Sequence, residues 1–115
     1  MPAVLVLDDD LGFAMWLASV LNDAGYTVLP SSTSEEALAI ANYVASIDLV
    51  IANFGLDGCS TLLDTLSERG DQFRLIAIGD AAPPAGRQVQ ATLTRPDGPP
   101  KSEPYIKAVA AVLRP

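Results

Sequence analysis

The chain has 115 residues, 50% of them apolar, with 14 acidic and 7 basic side chains, one cysteine and no histidine; this describes a single acidic domain, large enough to bury a core without disulfides or a structural metal. The missing histidine excludes Ser-His-Asp and Cys-His catalysis and every His-bearing metal centre, and the lone Cys59 excludes an internal disulfide and a Cys-rich cluster. Residues 1–68 sum to −10 and residues 69–115 to +3, with no basic stripe among aromatics, so direct nucleic-acid binding is not expected and a partner with a basic surface is favoured.

Val4 to Leu7 is a continuous apolar run ended by Asp8-Asp9-Asp10, the pattern of a strand buried on both faces of a sheet. A helix follows from Leu11 to Ala24, with Phe13, Trp16, Leu17, Val20 and Ala24 on one arc and Gly25 as its stop. Met15, Ala18, Ser19 and Asn22 then point away from the predicted core without a single charge, which makes them a candidate docking or dimer face. Tyr26–Leu29 reads as the second strand. Ser34 is a hydroxyl N-cap for a second helix, with Glu35 and Glu36 in its first turn and an end near Ala45 or Ser46.

Asp48–Asn53 reads as a third strand, Leu62–Glu68 as the heart of a third helix closed by Gly70, and Leu75–Gly79 as a fourth strand. Seven of the nine prolines fall from Pro83 onward, and Pro83, Pro84 and Gly86 leave room for at most a short helix around Arg87–Gln90. Ala91–Thr94 forms a fifth strand, and Ser102 caps a last helix over Glu103–Leu113 that tolerates Pro104 in its first turn. Strands alternating with helices across short connections define an α/β protein with a five-stranded, doubly wound parallel sheet.

Ligands in such sheets gather at the carboxyl ends of the strands, where Asp8, Asp9, Asn53, Gly79 and Arg95 fall. The run from Val4 to Asp10, then Gly25-Tyr26-Thr27-Val28, Ser34–Leu38, Asp48–Ile51 and Arg95-Pro96, in that order, resembles the receiver domains of bacterial two-component response regulators over the whole chain, 1–115. The resemblance implies a flavodoxin-like (βα)5 architecture, a cytoplasmic location, and signalling partners: a histidine kinase, a phosphotransfer protein or an output protein; the link from strand four to strand five is shorter than the family's, so a shortened or irregular fourth helix is expected. It also implies a chemistry in which paired carboxylates hold Mg²⁺, an aspartate after strand three accepts a phosphoryl group, a hydroxyl after strand four grips it and a lysine after strand five neutralises charge.

This sequence departs from that pattern at three of those places. Asp8 and Asp9 keep the acid pair, but Asn53 stands at the acceptor position, Gly79 at the hydroxyl and Arg95 at the lysine. A neutral carboxamide cannot serve as the anionic nucleophile, and with one carboxylate fewer the pair Asp8 and Asp9 holds Mg²⁺ weakly or not at all. Arg95 is long enough to pair with Asp8 or Asp9 and close the pocket. Thr92 replaces an aromatic switch residue three positions before Arg95, and Asp57 replaces a proline four after Asn53.

The expectation is a degenerate receiver that is no enzyme, needs no cofactor and acts as a phosphorylation-independent interaction or dimerisation module. An alternative is a working phosphoryl acceptor that uses another carboxylate such as Asp57 with Mg²⁺ on Asp8 and Asp9. A third reading is a small flavodoxin-like ligand-binding protein, although Asp8-Asp9-Asp10 stands where a Gly-rich phosphate loop belongs. The N-terminus, with only the short apolar run through Val4–Leu7 before the aspartates, carries no signal-peptide or membrane-span pattern.

Overall fold

A computed structural model describes residues 1–114. Five parallel strands, β1 (Ala3–Leu7), β2 (Thr27–Ser31), β3 (Leu49–Ala52), β4 (Arg74–Ile78) and β5 (Ala91–Leu93), form one sheet in the order β2-β1-β3-β4-β5. The connecting helices are α1 (Leu11–Asp23), α2 (Ser34–Ala41), α3 (Cys59–Arg69) and α4 (Glu103–Leu113). The strand order reverses at β1, so the ends of β1 and β3 flank the switch point where such folds place their sites.

Alternate side chains of the central strands feed two separate cores, as the twofold repeat of a strand requires. Val4, Val6, Leu49, Ile51, Ile76 and Ile78 pack under α1 and α4, while Leu5, Leu7, Val50, Ala52, Leu75 and Ala77 pack under α2 and α3. Every residue of β1 and β3 is buried, which is why both read as continuous apolar runs. Each fully buried Leu or Ile contributes about 1.5–3 kcal/mol relative to exposure.

Asp10 caps α1 by accepting from the Phe13 amide at 3.0 Å, and Gly25 leaves the helix with φ +104°. The face of α1 that meets the sheet is Phe13, Ala14, Leu17, Ala18 and Leu21. This corrects the predicted arc: Ala18, expected on the outer face, is only 4% exposed, and Ala24, expected in the core, is exposed. The two alanines let the helix approach the strands closely, whereas bulky Trp16 lies half-buried against Tyr105, ring centroids 5.3 Å apart.

β2 begins at Thr27 and runs through Pro30 to Ser31, which an edge strand tolerates because proline's missing donor can face solvent. The cap of α2 is Thr33, one residue before the predicted Ser34; its hydroxyl accepts from the Glu36 amide, while the Glu36 carboxylate accepts from the Ser32 amide. α2 ends at Ala41, short of the expected Ala45 or Ser46, because the chain turns at Asn42 and Tyr43 and Arg69 Nη1 takes the Ala41 carbonyl at 2.9 Å.

The segment around Arg87–Gln90, with space for at most a short helix, forms none and runs as the irregular connection expected of a reduced fourth helix. Gly86 takes φ +83°, and Gln90 lies along β4, its amide donating to the Leu75 carbonyl and its side-chain oxygen accepting from the Leu75 amide at 2.7 Å. Gln90 thus continues the pairing of β5 along β4, while Arg87 reaches Asp64 of α3 at 3.0 Å. α4 occupies the span predicted from sequence, but the Ser102 hydroxyl makes no capping bond. Among the described residues, no helix is long and apolar enough to cross a membrane.

Candidate functional site

The end of β1 delivers Asp8 into the interior. Its amide donates to the Ser31 carbonyl at 3.1 Å, the Ser31 hydroxyl donates to the Val6 carbonyl at 2.7 Å, and the Asp8 residue is 0% exposed. A carboxylate in that position must be paired or it costs several kcal/mol, on the order of a buried unpaired ion. Arg95 is its partner: Nε donates to Asp8 Oδ2 at 2.8 Å and Nη2 to Asp8 Oδ1. The same Nη2 reaches Asp9 Oδ1 at 2.6 Å, so one guanidinium stands between both acids.

These contacts pull the charged groups in the expected directions. The guanidinium of Arg95 beside Asp9 holds its carboxyl below the usual aspartate range, and Asp8 above all pushes the Arg95 guanidinium further toward its charged form. Arg95 itself keeps about two-fifths of its side chain in solvent, at 39% exposure.

Asn53 follows β3 and is held at both ends of its amide. Its backbone amide donates to the Leu7 carbonyl, Nδ2 donates to Asp8 Oδ1 at 3.4 Å, and Oδ1 accepts from the Gly55 amide at 2.9 Å. The amide therefore presents a donor to the buried carboxylate. An aspartate in the same place would set a second anion against Asp8, with Arg95 the one cation bonded to Asp8 among the described residues.

Gly79 follows β4 with φ +83°, its amide donating to the Leu93 carbonyl, and a Cβ added there would meet nothing within 4 Å. The position offers no hydroxyl, and its backbone conformation disfavours one. Thr92 lies exposed on β5, and Asp80 is an exposed residue beside Gly79.

Asp57 is not part of this constellation. It is exposed, its carbonyl accepts from the Ser34 hydroxyl at 2.6 Å, and it lines a separate cavity of about 370 Å³ with Ser32, Thr33, Ser34, Glu35 and Leu56. Of the candidate interface residues, Met15 (54% exposed) and Ser19 are on the surface, Ala18 is in the core, and exposed Asn22 ties α1 to β2 through the Val28 amide at 3.1 Å.

The residues present do not fit a Mg²⁺ ion. Such an ion needs a near-octahedral set of oxygens, yet both oxygens of Asp8 already accept from Arg95. No cluster of three metal-ligating side chains exists among the described residues. Buried Cys59, at the first turn of α3, has its thiol pushed up by burial, away from the reactive thiolate.

Sequence reasoning missed Ser31, which braces the Asp8 backbone, and Tyr105, whose hydroxyl donates to the Thr94 carbonyl at 2.7 Å next to Arg95. Neither carries a local signal. Ser31 lies at the end of β2 and Tyr105 inside α4, and their roles arise from the pairing of Leu7 with Ser31 and from helix docking.

Solved structures share this architecture. The chemotaxis response regulator CheY4 of Vibrio cholerae is 21% identical with TM-score 0.72, over 98% of this chain and 99% of that one. A response regulator receiver protein from Burkholderia phymatum is 23% identical with TM-score 0.70, over 98% and 95%. The receiver domain of the hybrid histidine kinase CckA is 27% identical with TM-score 0.64, over 95% and 93%. No family model matches the sequence and no curated protein does. The fold of the chain is the receiver fold of response regulators, with its fourth crossover reduced to an irregular segment.

Proposed function

We propose that the chain is an atypical receiver-type module of two-component signalling that accepts no phosphoryl group at Asn53 and acts in the cytoplasm by binding protein partners or a second copy of itself. The observation that carries this reading is the Arg95 guanidinium on both oxygens of buried Asp8, beside a carboxamide rather than a carboxylate. The pocket's buried side-chain hydrogen bonds are met from within the chain, and it offers no carboxylate at position 53 and no hydroxyl at Gly79. Such a site performs no catalysis; it fixes one conformation for a kinase, phosphotransfer or output protein to recognise. The acidic surface of the first 68 residues favours a partner that is basic where it docks.

The test is intact mass after incubation with Mg²⁺ and acetyl phosphate. The wild-type protein is expected to gain no phosphoryl group. A phosphoryl adduct on any carboxylate, Asp57 included, would overturn the reading.

A further inference from the structure

β1 and β5 are not neighbours: β3 and β4 stand between them, so their axes are about 14 Å apart at ordinary strand spacing. Arg95, just beyond the end of β5, nevertheless closes on Asp8 and Asp9 at the end of β1. The ground it crosses holds Gly79, without a side chain, and Asn53, without a charge. The strand end that carries Arg95 is itself braced, since the Tyr105 hydroxyl holds the Thr94 carbonyl. The Tyr105 ring meets Trp16 and Phe13 of α1 at 5.3 and 5.7 Å.

We infer that Arg95 is a built-in cation that takes the place of a divalent ion at Asp8 and Asp9, and that it keeps the site closed to metal even when a carboxylate is restored at position 53. The inference deepens the reading of a phosphorylation-independent site and rests on it for its biological meaning, but its chemistry stands on the metal alone. A tethered guanidinium competes at high effective concentration, and it grips both oxygens of a carboxylate that has no surface open to solvent. Mg²⁺ gives up its water reluctantly and would have to approach Asp8 against the positive charge of a guanidinium already bonded to both of its oxygens. Asn53 and Arg95 are therefore one device: the carboxamide lowers the negative charge to what a single cation can balance in part, and the guanidinium supplies that cation.

The experiment is a Mg²⁺ titration followed by calorimetry and by the emission of Trp16, the sole tryptophan, on Asn53→Asp, on Asn53→Asp/Arg95→Gln and on Asn53→Asp/Arg95→Lys. Asn53→Asp alone is expected to bind Mg²⁺ at least about tenfold more weakly than Asn53→Asp/Arg95→Gln, or not at all, because only the latter frees Asp8. Arg95→Lys keeps the charge without the fork and is expected to fall between them. The comparison of Asn53→Asp with the lysine variant decides the matter if the glutamine variant does not fold by circular dichroism. Equal Mg²⁺ affinity with and without Arg95, or a folded double variant that still binds no Mg²⁺, would overturn the inference. A wild-type protein that is phosphorylated would instead refute the functional reading, so the two failures are separable.

Discussion

Arg95 and Asp8 lie 87 residues apart, and the guanidinium of the first meets both carboxylate oxygens of the second where β1 ends. Bidentate pairing of this kind is directional as well as strong, so it sets where the loop after β5 must lie. It joins an edge strand to a central strand that it does not touch in the sheet.

Removing that partner leaves a fully buried carboxylate with only the Asn53 amide. Arg95→Gln is expected to lower stability by about 2 kcal/mol, below the figure for a fully buried pair because Arg95 remains partly in solvent. Urea denaturation of wild type, Arg95→Gln, Asp8→Asn and the double variant gives the coupling energy. Strict additivity of the two single changes would mean the pair contributes nothing.

A second ion pair ties three chain segments. Asp71 accepts from Arg69 Nε at 2.8 Å and from the Ile47 amide at 2.7 Å, while Arg69 also holds the end of α2. The Arg69 guanidinium keeps the Asp71 carboxyl below its ordinary value of 3.8. The stability from this depressed acid is fully present above pH 3.8 and is lost as pH falls through the lower folded value. The stability difference between wild type and Asp71→Asn is therefore expected to shrink below that pH; a difference constant down to the acid limit would refute the assignment.

The corrected phase of α1 separates two substitutions that the apolar pattern alone treats alike. Ala18→Glu places a charge in the core under α1 and α4 and is expected to cost more than about 2 kcal/mol. Met15→Glu changes an exposed position and is expected to stay within about 0.5 kcal/mol. Thermal melts of both variants check this, and equal melting points would contradict the observed face.

Gly58 precedes α3 with φ +85°, and a Cβ there would stand 2.9 Å from the Ser34 Cβ. Gly70 has φ +100° with nothing within 4 Å. Gly70→Ala is therefore expected to cost about 1 kcal/mol for its backbone conformation alone, and Gly58→Ala more, because the clash also disturbs the Ser34 bond to the Asp57 carbonyl. Equal losses in chemical denaturation would show that α2 and the α3 entry yield freely.

The strands and α4 were legible because burial on two faces marks a strand, and Glu103-Pro104 at the start of an apolar stretch marks the first turn of a helix. Val4–Leu7, Leu49–Ala52 and Glu103–Leu113 occupy their expected spans within a residue or two. The apolar pattern puts the α1 face out of phase because large Trp16 and Val20 outweigh small Ala14 and Ala18, which are the residues buried against the strands. The end of α2 was unreadable locally, since Arg69 from the next helix closes it. At the site, the acid pair and Arg95 were visible as residue types in the right order. The fork on Asp8, the Ser31 brace and the Tyr105 support depend on strand register and on the course of the loop after β5, which no short window of sequence encodes.

The most direct test of a self-contained site is a ¹H–¹⁵N correlation spectrum of the wild-type protein with and without Mg²⁺ and acetyl phosphate. The amides of Asp8, Asp9, Asn53 and Gly79 and the Arg95 Nε–H are expected to superimpose, because the groups around them are already satisfied. Displacement of those resonances on adding Mg²⁺ and acetyl phosphate would contradict a pocket filled by its own arginine.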